Sequence, residues 1–304
     1  MLQHNDIDES KKEFKIFDFM YWNKLAFLIL GLLIISSILI IFIFNFNWGI
    51  DFTGGTLVEI NLEKSINIDL LRNKLMESGF KKPIVQKLNN SKNIMIKVSS
   101  FPSSIDTNKL STKLVSIVNK YERQKVIINR IDFIGPSVGT ELIKNGLIAL
   151  LFAIIAIFAY ISYRFEWCLA SGTVIALLSD LIITFGFLSL FYIEIDLTIV
   201  ASLMSIIGYS LNDKIVISDR IRENINKMQS ISYYKIINIS LNQVLNRTLM
   251  TSFVTLIMVL ILLIFGGSLL KDFSLTMLIG IIIGTISSIY ISLPISLIVN
   301  KKCS

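Results

Sequence analysis

Six apolar runs, each about 18 residues or longer, dominate this sequence: 25–46, 146–163, 168–192, 197–218, 247–265 and 273–299. Roughly 20 residues of helix cross a bilayer core. In hydrocarbon the backbone must satisfy its own hydrogen bonds, so each run reads as a spanning α-helix. Several spans exclude both a soluble globular enzyme and a single-pass anchor. The first run follows 24 polar, mixed-charge residues with no small-residue cleavage site, so it reads as a retained anchor and not a removed signal peptide. Only 17% of residues are charged and only 4 are Pro, a composition that excludes disorder.

Charge sets the expected orientation. With the N-terminus inside, thirteen Lys and Arg fall on inner segments, Lys214 and Arg247 among them, against Lys271 alone on the short outer loops. The organisation expected is a cytoplasmic segment 1–24, a first helix 25–46, an outer domain 47–141, a five-helix region 142–300 with a cytoplasmic loop 219–246, and a cytoplasmic tail 301–304. The net charge of +7 is spread over loops, without a basic stripe interleaved with aromatics, which argues against nucleic acid as a partner. Cys168 and Cys303 flank spans, and His4 is the single histidine. That inventory supports neither a disulfide framework nor a metal site.

The outer segment switches periodicity. Residues 56–62, 83–88, 93–98 and 126–134 read as strands, the middle pair around an Asn89-Asn90-Ser91 turn. Residues 69–78 read as a helix closed by Gly79, and 107–121 as a second helix with Leu110, Leu114, Ile117, Val118 and Tyr121 on one stripe. The order β-α-β-β-α-β is the ferredoxin-like α+β arrangement. Without Cys, His or a carboxylate pair it reads as a structural or binding module. No nucleophile–base set or phosphate loop appears elsewhere, so the chain does not read as an enzyme.

A charge within the bilayer is a functional candidate by default. Asp213 lies about 24 Å down the fourth span and Arg247 about 27 Å down the fifth, at 1.5 Å per residue. Equal depth predicts an Asp213–Arg247 pair, which a proton at Asp213 would break. The plainer alternative is two interfacial charges snorkelling to the cytoplasm. Ser202, Ile206, Tyr209 and Ser210 share the Asp213 face within about 60°, with Asn212 beside it, and Thr251 follows Arg247 at i+4. Asp180 sits near the middle of the third span with no cation on its own helix. It is either a second proton-pathway residue or a neutral group hydrogen-bonded to Ser179 or Thr184. Gly49, Gly54 and Gly55, and the Gly135-Pro136 pair, read as tight turns or as hinges at the ends of the outer domain. Gly280, Gly284, Ser287 and Ser288 form a small-residue packing stripe on the sixth span. Residues 230–243 read as an amphipathic helix on the inner membrane surface.

Three stretches carry a family resemblance. Asn47-Trp48-Gly49-Ile50-Asp51-Phe52-Thr53-Gly54-Gly55-Thr56 follows the first span. Phe133-Ile134-Gly135-Pro136-Ser137-Val138-Gly139 precedes the second. Asp196-Leu197-Thr198-Ile199-Val200-Ala201-Ser202 leads to Ile207-Gly208-Tyr209-Ser210-Leu211-Asn212-Asp213 and Asp219-Arg220-Ile221-Arg222-Glu223-Asn224. In this order and spacing they resemble the SecD/SecF family of bacterial protein-export membrane subunits, part of the RND superfamily. The resemblance implies half of an RND-type transporter, with SecD as the other half, SecYEG and YajC as associates, membrane lipid around it and a translocating preprotein as cargo. It implies residence in the bacterial inner membrane with a periplasmic outer domain. Protons would be the coupling ion, with no bound cofactor, along a pathway at Asp213 and Arg247. The alternatives are half of a small-molecule exporter, or a scaffold for SecD without its own proton path. Two positions depart from the family pattern: Lys214 follows the key aspartate where a small hydroxyl residue is common, and Ser179 stands where some relatives carry histidine. Lys214 is expected either to snorkel inward or to compete with Arg247 for Asp213.

Overall fold

The computed structural model describes residues 17–62, 67–78, 80, 83–87, 93–99, 116–119, 126–165, 167–228 and 231–303. The sequence folds into a bundle of long helices carrying a small antiparallel sheet at one end. Among the described residues, six helical segments are long and apolar enough to cross a membrane. A 3₁₀ turn, Phe19–Trp22, leads into α1 (Asn23–Phe44). The outer domain follows as β1 (Asn47–Trp48), α2 (Ile50–Thr53), β2 (Gly55–Leu62), α3 (Ile68–Glu77), β3 (Ile84–Lys87), β4 (Asn93–Ser99), α4 (described over 116–119) and β5 (Val126–Ile134). The bundle continues as α5 (Pro136–Arg164), α6 (Trp167–Leu190), β6 (Glu194–Ile195), α7 (Leu197–Lys227), α8 (Tyr233–Phe265), α9 (Gly267–Tyr290) and α10 (Ser292–Cys303). Gly79, the Asn89-Asn90-Ser91 turn and most of the second expected helix lie outside the described residues.

The sheet runs β3-β4-β2-β5 with every neighbour antiparallel, the strand order of a split βαββαβ unit. Alternation in β2 decides its faces. Val58, Ile60 and Leu62 point to one side, where they pack with Ile94, Ile96 and Val98 under Leu71 and Leu75 of α3 and Val118 of α4. Leu57 and Glu59 point to the other side, which faces the bundle across an open crevice of about 670 Å³. Lys97 crosses this gap, its Nζ 2.5 Å from Glu194 Oε2 at the turn between α6 and α7.

The chain's exit from α1 is stitched to that same turn. β1 pairs in parallel with β6, and the Gly49 amide donates to the Ile195 carbonyl at 2.7 Å. A Cβ on Gly49 would lie 2.8 Å from that carbonyl oxygen, so only glycine allows the approach. Gly54 ends α2 with φ 72° and ψ 151°, a conformation that side chains disfavour. Gly55 is buried and opens β2, paired with Ser99 and Ile134. Gly135 has ordinary extended backbone and precedes α5, with Pro136 in the first turn, where a missing N–H is harmless.

Within the bundle α6, α7 and α9 are the most enclosed, while α1, α5 and α8 keep broad apolar faces exposed. Two expectations are corrected here. Residues 230–243 do not form a separate surface helix: α8 runs unbroken over 33 residues. Its Ile237, Leu241 and Val244 pack against Ile217 and Ile221 of α7, so the apolar stripe is covered by a neighbouring helix. Asn224 fixes the pairing by donating to Ser240 Oγ at 2.8 Å and Gln243 Oε1 at 2.9 Å. The sixth span is likewise two helices. α9 breaks at Ile291, and α10 restarts with Pro294 in its first turn, where proline cannot continue the preceding ladder.

Candidate functional site

The site lies where α6, α7, α8 and α9 meet. α7 starts cleanly because Asp196 caps it, accepting from the Ile199 amide at 2.9 Å, while Asp51 of α2 accepts from the Leu197 amide at 3.0 Å. The helix then buries Ser202, Ile206, Ser210 and Asp213 along one stripe, with Lys214 beside it. α9 closes over this stripe through its small residues. A Cβ on Gly280 would collide with Ile206, and one on Gly284 would lie 2.8 Å from Ser210 Oγ. The stripe of Gly280, Gly284, Ser287 and Ser288 therefore serves packing inside this chain.

Consecutive residues of α7 send opposite charges to different sides. Lys214 is 1% exposed, and its ammonium reaches α6, where Nζ lies 2.8 Å from Asp180 Oδ2. Its other two hydrogen bonds go to Ser210 Oγ and to Ser287 Oγ, the latter at 3.1 Å. All three ammonium donors are thereby used. Asp180 is also 1% exposed and accepts from Ser210 Oγ at 2.6 Å on the same Oδ2. Its Oδ1 is buried without a hydrogen-bond partner among the described residues. Asp213 is buried toward α8 and α9. It accepts one long bond, 3.4 Å from Ser252 Oγ, and Ser252 bonds Thr285 Oγ1 at 3.0 Å.

At 2.8 Å and an effective dielectric near 20, the Lys214–Asp180 attraction is roughly 6 kcal/mol. Desolvating the two ions costs several kcal/mol each, so the intact pair is close to neutral for stability. Removing one partner alone leaves a buried charge at a cost of about 3–5 kcal/mol.

The expected Asp213–Arg247 pair is not formed. Arg247 is exposed on α8, and no ion pair or hydrogen bond joins it to Asp213. Distance along a helix, from which the pair was expected, does not set azimuth. The covered stripe of α8 is Val244, Thr248, Ser252 and Val259, and Arg247 precedes Thr248 by one residue, about 100° around the helix. Thr251 shares the exposed face and bonds only main-chain carbonyls of its own helix. Asn212 is exposed. Tyr209 is half-buried with its hydroxyl buried and unpartnered among the described residues, and Ser202 bonds the Ile199 carbonyl. The Asp180 carboxyl is not held by Ser179 or Thr184. Ser179 donates to the Ala176 carbonyl, and Thr184 to the Asp180 carbonyl. Lys214 is a buried counter-ion, so it does not belong with the inner-loop cations that indicate orientation. Twelve cations against one still favour the same side. Ser252 and Thr285 escaped the sequence reading, although Ser252 lies at i+4 from Thr248 on the buried stripe. Among the described residues, no group of three or more His, Cys, Asp or Glu is placed to hold a metal.

Comparison with known proteins agrees with this architecture. Residues 113–302 match the family model "Protein export membrane protein SecD/SecF, C-terminal", and 39–66 match the "SecD/SecF GG Motif". The chain is 49% identical over 302 residues to a protein translocase subunit SecF of Escherichia coli O157:H7, covering 99% of this chain and 94% of that one. It is 41% identical over 283 residues to the corresponding subunit of Vibrio alginolyticus, covering 93% and 90%. The crystal structure of SecDF from Thermus thermophilus, described as a translocon-associated membrane protein, superimposes with a TM-score of 0.83 at 33% identity. That match covers 95% of this chain, which spans 39% of the length of the SecDF chain. A SecDF structure in a super-membrane-facing form gives a TM-score of 0.70 at 33% identity, over 94% of this chain and 39% of the other. On a family model covering most of its length and relatives matched nearly end to end, this multi-pass membrane chain belongs to the SecD/SecF family of protein export membrane proteins.

Proposed function

We propose that the chain is a subunit of the bacterial Sec export machinery that pairs with SecD and uses the proton gradient to promote preprotein translocation and release on the outer side. The observation that carries this reading is the enclosure of two carboxylates, Asp180 and Asp213, within a helical bundle of this family. Buried carboxylates in a span are expensive, and proton relays are a use that repays the expense. Arg247 enters from the uncovered face of α8, beside Thr251, where the second half of a two-half bundle would close over it. SecYEG and YajC are the associates in this reading, and protons are the coupling ion without a bound cofactor. The chain sits in the inner membrane with both termini cytoplasmic and the sheet domain periplasmic.

The test is gradient-dependent translocation of a preprotein into vesicles carrying SecYEG, SecD and either the native chain or Asp213→Asn, at equal assembly with SecD. Loss of the gradient-dependent part alone supports the reading. Unchanged translocation sinks it and favours a scaffold role for the chain.

A further inference from the structure

We propose that Asp51 is a positioning residue, through which the segment 47–55 fixes the outer domain to the first turn of α7 as one rigid joint. Its consequence for translocation rests on the proton-coupled reading above; the joint itself does not.

The contacts make this glycine-bearing segment a joint and not a hinge. A helix leaves its first amides without partners inside the helix. On α7 the Ile199 amide donates to the cap, Asp196 Oδ1, while the Leu197 amide donates to Asp51 Oδ2, on a residue 146 positions earlier. The partial positive charge of that helix end favours both carboxylates. One residue on, Phe52 is 4% exposed and packs in one cluster with Leu188 of α6 and with Ile199 and Leu203 of α7. The Phe52 carbonyl lies against α5, where a Cβ on Gly139 would approach its oxygen to 2.5 Å. Two residues before Asp51, the Gly49 amide is tied to the Ile195 carbonyl. α2 is thus held by α5 and α7 at once, and Gly54 alone separates it from β2. The eight residues of β2 carry the joint about 27 Å into the sheet, at about 3.4 Å per residue.

The backbone points the same way. Among the described residues, the non-glycine residues with left-handed φ are Asn45 at 56° and Tyr192 at 54°. Both belong to this joint, one after α1 and the other after α6. The Asn45 carbonyl accepts from Ser189 Oγ at 2.8 Å, and the Tyr192 carbonyl from Asn47 Nδ2 at 3.1 Å. Strained backbone persists only where its surroundings hold it. A freely swinging hinge would let both residues relax.

Asp51 is the one charged side chain in 47–55. The rest of the joint is main chain, rings and glycines, so truncating Asp51 loosens it without removing a buried ring. The Lys97–Glu194 bridge holds β4 to the same turn at a different place, so the loss of Asp51 should act on 50–56 before β4.

The experiment uses the full chain assembled with SecD and SecYEG in proteoliposomes, with hydrogen exchange and gradient-driven translocation measured side by side. Asp51→Ala should raise exchange about tenfold or more at both 197–200 and 50–56, since a hydrogen bond to a charged acceptor is lost. It should also lose most of the gradient-driven translocation at equal assembly with SecD. Asp51→Asn keeps an oxygen for the Leu197 amide and should restore both. Faster exchange at 197–200 with native exchange at 50–56 would make Asp51 a cap of α7 only and overturns the proposal. Native translocation alongside faster exchange at both segments overturns it as well. Should Asp51→Ala fail to assemble, the native chain decides: 47–55 and 193–200 open together at one rate if they form one joint, and separate rates overturn it. Asp213→Asn keeps the two readings apart. If it leaves gradient-driven translocation intact, the proton-coupled reading fails, while exchange at 50–56 still decides the joint.

Discussion

Replacing Gly284 by alanine tests how tightly α9 closes on the charged pair. The added Cβ would lie 2.8 Å from Ser210 Oγ and 3.0 Å from Ser210 Cβ, both inside normal contact. Ser210 is held by its 2.6 Å bond to Asp180 Oδ2 and by the Lys214 ammonium, so it cannot yield without breaking one of them. Overpacking costs about 1–3 kcal/mol, and a lost hydrogen bond to a charged group about 1.5–3 kcal/mol. Since relaxation of one relieves the other, a destabilisation of about 3 kcal/mol is expected. The assay is equilibrium unfolding of the purified chain in detergent–SDS mixed micelles. Gly208→Ala is the control, because nothing lies within 4 Å of its added methyl; it should be neutral or stabilising by up to about 1 kcal/mol. Gly284→Ala/Ser210→Gly restores the space but not the hydroxyl, so it should recover only the overpacking part. If Gly284→Ala stays within about 0.5 kcal/mol of native, the close approach of α9 to Ser210 is wrong and the packing of the pair must be redrawn.

Two further outcomes follow from the outer domain. Gly54→Ala places a side chain at φ 72° and ψ 151°, and should cost about 1–3 kcal/mol of domain stability, measured by hydrogen exchange of the β2 amides. Glu194→Gln leaves Lys97 without its partner across the crevice. With side chains 13% and 9% exposed, that pair lies between surface and buried cases, so the loss should be about 1–3 kcal/mol. The readout is faster exchange at both β4 and the 193–196 turn; faster exchange at β4 alone would show that the pair does not join the two.

Much of this structure was legible because hydrophobic period reports which residues face inward. The four strands of the outer sheet fall within a residue or so of their expected bounds, since alternation in 56–62 and 93–98 has one physical reading. The spans were legible for the same reason. What period does not report is rotation about a helix axis. Counting residues along the spans matches Asp213 with Arg247, but a one-residue offset on α8 turns Arg247 outward and Ser252 inward. Lys214 was hidden differently. Rules for topology treat a lysine near a span end as solvent-bound, and only Asp180 on another helix explains its burial. Gly284 and Ser287 were visible as a packing stripe. That the stripe shapes the pocket around a charged pair needs the tertiary neighbour.

Gly55 and Ile134, the first and last residues of the sheet's central and edge strands, stand opposite each other in register. The chain therefore leaves the bundle and returns to it across a single strand spacing, about 5 Å. Seen from α1 and α5, roughly eighty residues of outer domain occupy the footprint of a hairpin turn. Such an insertion places no geometric demand on the helices beneath it. It can lengthen, shrink or be exchanged for another domain with adjacent ends while the helical frame keeps its spacing. The helical frame and the sheet domain are free to evolve at different rates, joined beyond the chain crossings by the β1–β6 clip and the Lys97–Glu194 bridge.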